Sequence, residues 1–155
     1  MGMKQILVMM AAVMLVGCGT TSWVSDPSDE NNVKIEAAIR QEINKPDGKL
    51  TKSDLESVLK LSFEDQRLTS VAGLERHTNL KVLYLYKNGL TNVAGLENFT
   101  NLEILGLEDT QLVNIDGLMK LTNLRRLNLV DNNQLSEAQV DELRKALPNC
   151  KIYGP

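Results

Sequence analysis

Aromatic side chains are scarce, with two Phe, three Tyr and one Trp among 155 residues. A sandwich or barrel with a bulky ring-filled centre is hard to build from so few. Leucine must supply most of the apolar volume, which suits a thin, continuous core. Histidine is rarer still: His77 is alone, and no Ser, Cys or acidic residue stands beside it at a spacing that a catalytic triad or metal site demands. The two cysteines, Cys18 and Cys150, do not form the regularly spaced pairs of a secreted disulfide scaffold. A bridge between them is open on paper, but each has a local explanation given below. No basic stripe with interleaved aromatics is present, and the net charge is −3, so nucleic acid is not an expected partner. The longest apolar run, Ile6 to Val16, covers about 16 Å as a helix, roughly half a bilayer core. It is too short to span.

What the chain does have is a phrase that returns every 22 residues. LKVLYLYKNGL starts at Leu80 and LEILGLEDTQL at Leu102, with a looser VLKLSFEDQRL at Val58 and LRRLNLVDNNQ at Leu124. A period of 20–29 carrying L-x-x-L-x-L-x-x-N is the signature of a leucine-rich repeat. The expected inward ladder is Leu61 and Phe63, Leu83 and Leu85, Leu105 and Leu107, Leu127 and Leu129. The asparagine position holds Gln66, Asn88, Thr110 and Asn132, and Thr110 predicts a looser turn. The return halves, such as Leu90-Val93-Leu96-Phe99, read as short turns or 3₁₀ helix on the convex side. His77 shares the register of Phe99 and Leu121, which makes it a core or edge residue.

This pattern resembles the 22-residue repeats of internalins and of a nuclear phosphatase regulator. The resemblance implies an α/β solenoid with a short parallel β-sheet on its concave face and helical caps at both ends. Four repeats are expected over 58–134. Over 33–57, Ile35, Ile39 and Ile43 form one helical stripe, Pro46-Asp47-Gly48 ends it, and Thr51 with Asp54 opens a second short helix as a capping box. These residues form the N-terminal cap. Over 135–155, Ser136 and Gln139 cap a helix from Glu137 to Ala146, and Leu147, Cys150 and Ile152 continue the strand leucines after one inserted residue. Cys150 is then a small hydrophobe in the ladder rather than a nucleophile.

The first 32 residues are of another kind. A start carrying Lys4, then the apolar run, then Leu15-Val16-Gly17-Cys18 fits a secretory signal peptide over 1–17. The last four residues resemble the lipobox of bacterial lipoproteins. That resemblance implies cleavage before Cys18 and lipidation of its sulfur, placing the chain in the bacterial cell envelope. Gly19 after the cysteine is compatible with the outer membrane in a Gram-negative host. Residues 18–32, rich in Ser, Thr, Asp and Asn, read as a flexible tether, with Trp23 near the headgroups or against the cap.

With the leucines committed to the core, recognition falls to the outward rows of the strands. These read Lys60, Val82, Ile104, Arg126, Asn149; then Ser62, Tyr84, Gly106, Asn128, Lys151; then Glu64, Tyr86, Glu108, Val130, Tyr153. Asp65, Lys87, Asp109 and Asp131 follow at the strand exits. The expected binding face is Val82, Tyr84, Tyr86, Lys87, Ile104, Glu108, Asp109, Arg126 and Asn128, with a dip at Gly106 beside Tyr84. An aromatic patch inside a charged rim is how protein interfaces are built. Its area is on the order of 300 Å² against about 800 Å² per side of a standard interface, which favours a peptide-sized partner. The sequence therefore predicts a membrane-anchored, non-catalytic protein-binding module with no cofactor and no metal. An envelope glycan receptor and a purely structural lipoprotein are the alternatives.

Overall fold

The computed structural model describes residues 25–155, so the signal segment, Cys18 and Trp23 lie outside the described residues. Two helices, α1 (Glu30–Glu42) and α2 (Lys52–Ser57), precede the sheet. Strands β1 (Lys60–Ser62), β2 (Val82–Tyr84), β3 (Ile104–Gly106) and β4 (Arg126–Asn128) follow. A third helix, α3 (Glu137–Ala146), leads into β5 (Lys151–Tyr153). Among the described residues the sheet has five strands, all parallel and in chain order. This is a leucine-rich-repeat solenoid.

The register is the 22-residue period made physical. Leu61, Leu83, Leu105 and Leu127 pair side by side across the first four strands, and all are buried. Phe63, Leu85, Leu107 and Leu129 form a second buried row beside them. Each fully buried leucine contributes about 1.5–3 kcal/mol relative to exposure. No single coil could enclose such a side chain, so the stack is stable only as a stack. The returns are 3₁₀ turns at Leu74–Arg76, Leu96–Asn98 and Asp116–Lys120, which carry Leu74, Leu96 and Leu118 into the core.

Two asparagine ladders hold the coils in register. Asn88 Nδ2 donates to the carbonyls of Phe63, Leu85 and Tyr86 at 2.6, 2.9 and 3.2 Å, while its Oδ1 accepts from Leu68 N at 2.9 Å. Asn132 repeats this on Leu107, Leu129 and Val130. Thr110 is buried, its hydroxyl 3.0 Å from Leu107 O and also against Asn132 Oδ1, and it makes fewer bonds to the turn backbone than Asn88 or Asn132 does. Gln66 departs from the pattern instead: it is exposed and donates to Glu64 O. Its extra methylene carries the amide beyond the turn that asparagine fits.

The second ladder lies at the strand starts. Asn79, Asn101 and Asn123 donate back to the carbonyls of Glu56, Thr78 and Thr100 at 2.7–3.0 Å. Sequence reading passed over these residues, although the pair Thr-Asn recurs at 78, 100 and 122.

The N-terminal cap starts earlier than the boundary at Val33. Asp29 is in extended backbone and its side chain accepts from Asn31 N and Asn32 N, so α1 begins at Glu30 and takes three residues assigned to the tether. Ile35 and Ile39 are fully buried and Ile43 partly so. Arg40 ties the cap together, bonding Glu36 at 2.7–2.8 Å, Lys45 O at 3.2 Å and Gly48 O at 2.9 Å. Both expected capping boxes are present, Thr51 with Asp54 and Ser136 with Gln139. His77 is buried, with Nδ1 3.3 Å from Leu55 O, and so joins the first repeat to α2.

The fifth strand sits at a different offset from the one its leucine pattern suggests. Lys151, Ile152 and Tyr153 pair with Arg126, Leu127 and Asn128, an offset of 25 positions where the other strands show 22. The insertion is three residues rather than one, so Lys151, not Asn149, stands beside Arg126. The cause is the α-helical return: α3 advances about 1.5 Å per residue against about 2.0 Å in a 3₁₀ turn, and more residues cross the same width. The error was an even number, so the inward and outward faces keep their identities. By that offset Cys150 no longer falls on a ladder leucine but precedes β5 opposite Arg125, and it is half-buried against the core, its thiol pushed up to about 11 by that burial.

Candidate functional site

The concave face is built from the two outward positions of each strand. Its first row is Lys60, Val82, Ile104, Arg126 and Lys151; its second is Ser62, Tyr84, Gly106, Asn128 and Tyr153. Tyr86, Glu108 and Val130 continue outward beyond β2, β3 and β4. Alternation brings Val82, Tyr84, Ile104, Arg126 and Asn128 to this surface, Tyr86 and Glu108 extend their rows, and Lys87 and Asp109 stand in the left-handed turns at the strand exits. Val82, Ile104, Tyr84 and Tyr86 are each half-buried, so each keeps a solvent face.

Two rings occupy the centre. Tyr84 and Tyr86 have centroids 5.5 Å apart and planes tilted by 54°, an arrangement that aromatic quadrupoles favour. Both lean over Gly106. A Cβ there would stand 2.9 Å from Tyr84 Cδ1 and 3.2 Å from Tyr86 Cδ1, and Gly106 is itself buried. The expected open dip is therefore a filled one: the missing side chain makes room for the rings rather than for a ligand. Lys60 Nζ lies 5.9 Å from the Tyr84 centroid, a cation–π contact from the neighbouring strand.

Polar contacts order the surroundings. Asn128 Nδ2 donates to Glu108 Oε2 at 2.7 Å and its Oδ1 accepts from Val130 N at 3.1 Å, which fixes both side chains beside the rings. Lys87 Nζ is 3.4 Å from Glu64 Oε1, an exposed pair. With Tyr86 and Glu108 these two residues line a shallow cavity of about 150 Å³. The strand exits share one backbone feature: Asp65, Lys87, Asp109 and Asp131 have φ of 51°, 57°, 50° and 62°. Left-handed backbone suits aspartate, whose short side chain bonds locally, and suits lysine poorly.

At the opposite margin, Glu103 lies between Lys81 at 3.5 Å and Arg125 at 3.9 Å. Sequence reading did not single out this row, although the three residues are 22 positions apart. The face thus presents rings and aliphatic groups between two charged margins, with no nucleophile held against a base. Among the described residues, no group of three or more His, Cys, Asp or Glu could hold a metal ion.

Comparison with known proteins agrees with this architecture. A family model described as Leucine Rich repeats (2 copies) matches residues 78–118 and 100–145. The match starts at Thr78, after the first repeat with its displaced Gln66. Among solved structures, the chain is similar to an internalin C2 from Listeria monocytogenes, with 23% identity and a TM-score of 0.68, over 83% of this chain and 53% of that one. It is also similar to an internalin (inlF) from the same species, with 24% identity and a TM-score of 0.60, over 84% and 45%. A leucine-rich-repeat protein of Leptospira interrogans matches with 27% identity and a TM-score of 0.59, over 64% and 26%. The chain spans about half the length of the internalins it matches, and these likenesses speak to the fold. No curated protein matches it.

Proposed function

We propose that this chain is a membrane-tethered, non-catalytic protein-binding module of the bacterial cell envelope that binds through its concave face. The observation that carries the reading is the half-buried pair Tyr84 and Tyr86, held between Val82, Ile104 and a charged rim on an otherwise smooth sheet. Large amphipathic rings at the centre of a polar rim are where binding energy concentrates. The matched family model describes a repeat rather than a catalytic domain, which supports the non-catalytic part.

The tether rests on the sequence alone, on the lipobox-like Leu15-Val16-Gly17-Cys18 after its apolar run. Lipidation of Cys18 with two or more acyl chains holds a protein firmly to a bilayer, where one chain does not. In crosslinked envelopes the wild-type chain is expected to capture a reproducible partner set that the double variant Tyr84→Ala/Tyr86→Ala loses. Identical partner profiles would sink the proposed face. Intact mass spectrometry after expression in a lipoprotein-processing host tests the anchor separately. A chain starting at Cys18 without added lipid mass would refute it.

A further inference from the structure

The two margins of the concave face carry opposite charge. Where the strands begin stand Lys60, Lys81, Arg125, Arg126 and Lys151 against the single anion Glu103. Where they leave stand Glu64, Asp65, Glu108, Asp109 and Asp131, with Lys87 in the same row, Arg67 in the turn after Asp65 and Arg144 reaching Gly154 O beyond β5, so this margin is acidic in balance. Between them runs the apolar band of Val82, Ile104, Tyr84 and Tyr86. The polarity therefore lies along the strands, across the solenoid axis.

We propose that this face receives one amphipathic α-helix laid across the five strands, its apolar stripe flanked by acidic residues on one side and basic residues on the other. The inference rests on the reading of the concave face as the binding surface and names the partner's chemistry. Size argues for a helix. Five strands about 4.8 Å apart span about 19 Å, the length of about 13 helical residues. From the first outward row to the third is about 13 Å, close to the 10–12 Å diameter of a helix with its side chains. An extended strand, with its side chains alternating up and down, meets one row and leaves a margin uncovered. Charge argues for mixed flanks, because a uniformly charged helix would gain at one margin what it loses at the other. A second copy of this chain, turned about the solenoid axis, also sets basic margin on acidic margin. Its face of about 300 Å² falls well short of the roughly 800 Å² per side of a stable dimer.

The test uses three synthetic 14-residue helical peptides with one shared leucine and phenylalanine stripe and flanks that are mixed, all acidic or all basic. Fluorescence anisotropy with the purified chain should show the mixed peptide binding at least tenfold tighter than either uniform one. In 1 M NaCl, where the screening length is about 3 Å, that preference should shrink to threefold or less. Arg125→Glu/Arg126→Glu should transfer the preference to the all-basic peptide. Equal affinity for all three peptides, or binding of none, overturns the inference. So does concentration-dependent dimerisation in sedimentation velocity that Arg126→Glu abolishes. If Tyr84→Ala/Tyr86→Ala weakens all three peptides equally and none is preferred, the concave face stands as the binding surface and its polarity does not matter. If the mixed peptide binds Tyr84→Ala/Tyr86→Ala as tightly as it binds the parent, the binding surface is elsewhere and both readings fail.

Discussion

The Cα of Gly106 lies beneath the ring of Tyr84, so close that a Cβ would stand 2.9 Å from Tyr84 Cδ1. The Gly106→Ala change sets two effects against each other. Alanine in a strand gains about 0.5–1 kcal/mol over glycine. Pushing Tyr84 off its preferred rotamer costs about 0.5–1.5 kcal/mol. Urea unfolding of Gly106→Ala should therefore stay within about 1 kcal/mol of the parent, while the ring signals of Tyr84 and Tyr86 shift in aromatic NMR spectra. A loss much beyond that would mean the rings cannot yield, and unchanged ring signals would mean they do not rest on Gly106.

Lys87 is the misfit among the strand exits. Its neighbours in the row, Asp65, Asp109 and Asp131, tolerate the left-handed backbone that Lys87 holds at φ 57°. That conformation costs a residue with a long side chain roughly 1 kcal/mol. Lys87→Asn loses only the exposed 3.4 Å pair with Glu64, a contact of the class worth about 0–1 kcal/mol. Lys87→Asn should gain about 0.5–1 kcal/mol in urea unfolding with an unchanged m-value. The reciprocal Asp109→Lys should lose a similar amount. A destabilised Lys87→Asn would show that the ion pair outweighs the backbone.

Asn88 and Gln66 occupy equivalent positions with opposite surroundings. Asn88 is buried and satisfies three carbonyls and one amide, whereas Gln66 is exposed and donates to Glu64 O. Asn88→Ala leaves several buried backbone groups without partners and should cost about 2–4 kcal/mol. Gln66→Ala should stay within about 0.5 kcal/mol. Similar losses in the two variants would show that the ladder does not depend on burial.

These contrasts show where the sequence was readable. The inward leucines announced themselves because each must be buried and each returns after 22 residues. The capping boxes at Thr51 and Ser136 were readable because they are local and use a fixed spacing. The strand of Ile152 was placed two residues off, since sequence shows that a helix replaces the short return but not how many residues that helix needs. Gly106 was read as a dip because the absence of a side chain is visible in sequence while the lean of the neighbouring rings is not. The row Lys81, Glu103 and Arg125 was overlooked for another reason: its residues alternate in charge, so no repeat of residue type drew attention to it.

The N-terminal cap carries a pH dependence of its own. Lys45 Nζ lies 2.6 Å from Asp54 Oδ2, and Thr51 N donates to the same oxygen at 2.7 Å. The Lys45 ammonium first, then the Thr51 amide and hydroxyl, hold the Asp54 carboxyl down at about 2 against its ordinary 3.8. A carboxyl depressed in the folded state binds its proton more readily once unfolded. Its stabilising contribution is thus complete above the unfolded value and is lost as pH falls through about 2. Asp54→Asn should have a lower Tm than the parent from pH 5 to 7, with the difference constant there. As pH falls from 4 towards 2 the parent should lose Tm faster, and the two should converge. A difference that stays constant down to pH 2 would show that Asp54 acts through its shape as the N3 residue of α2 and not through its charge.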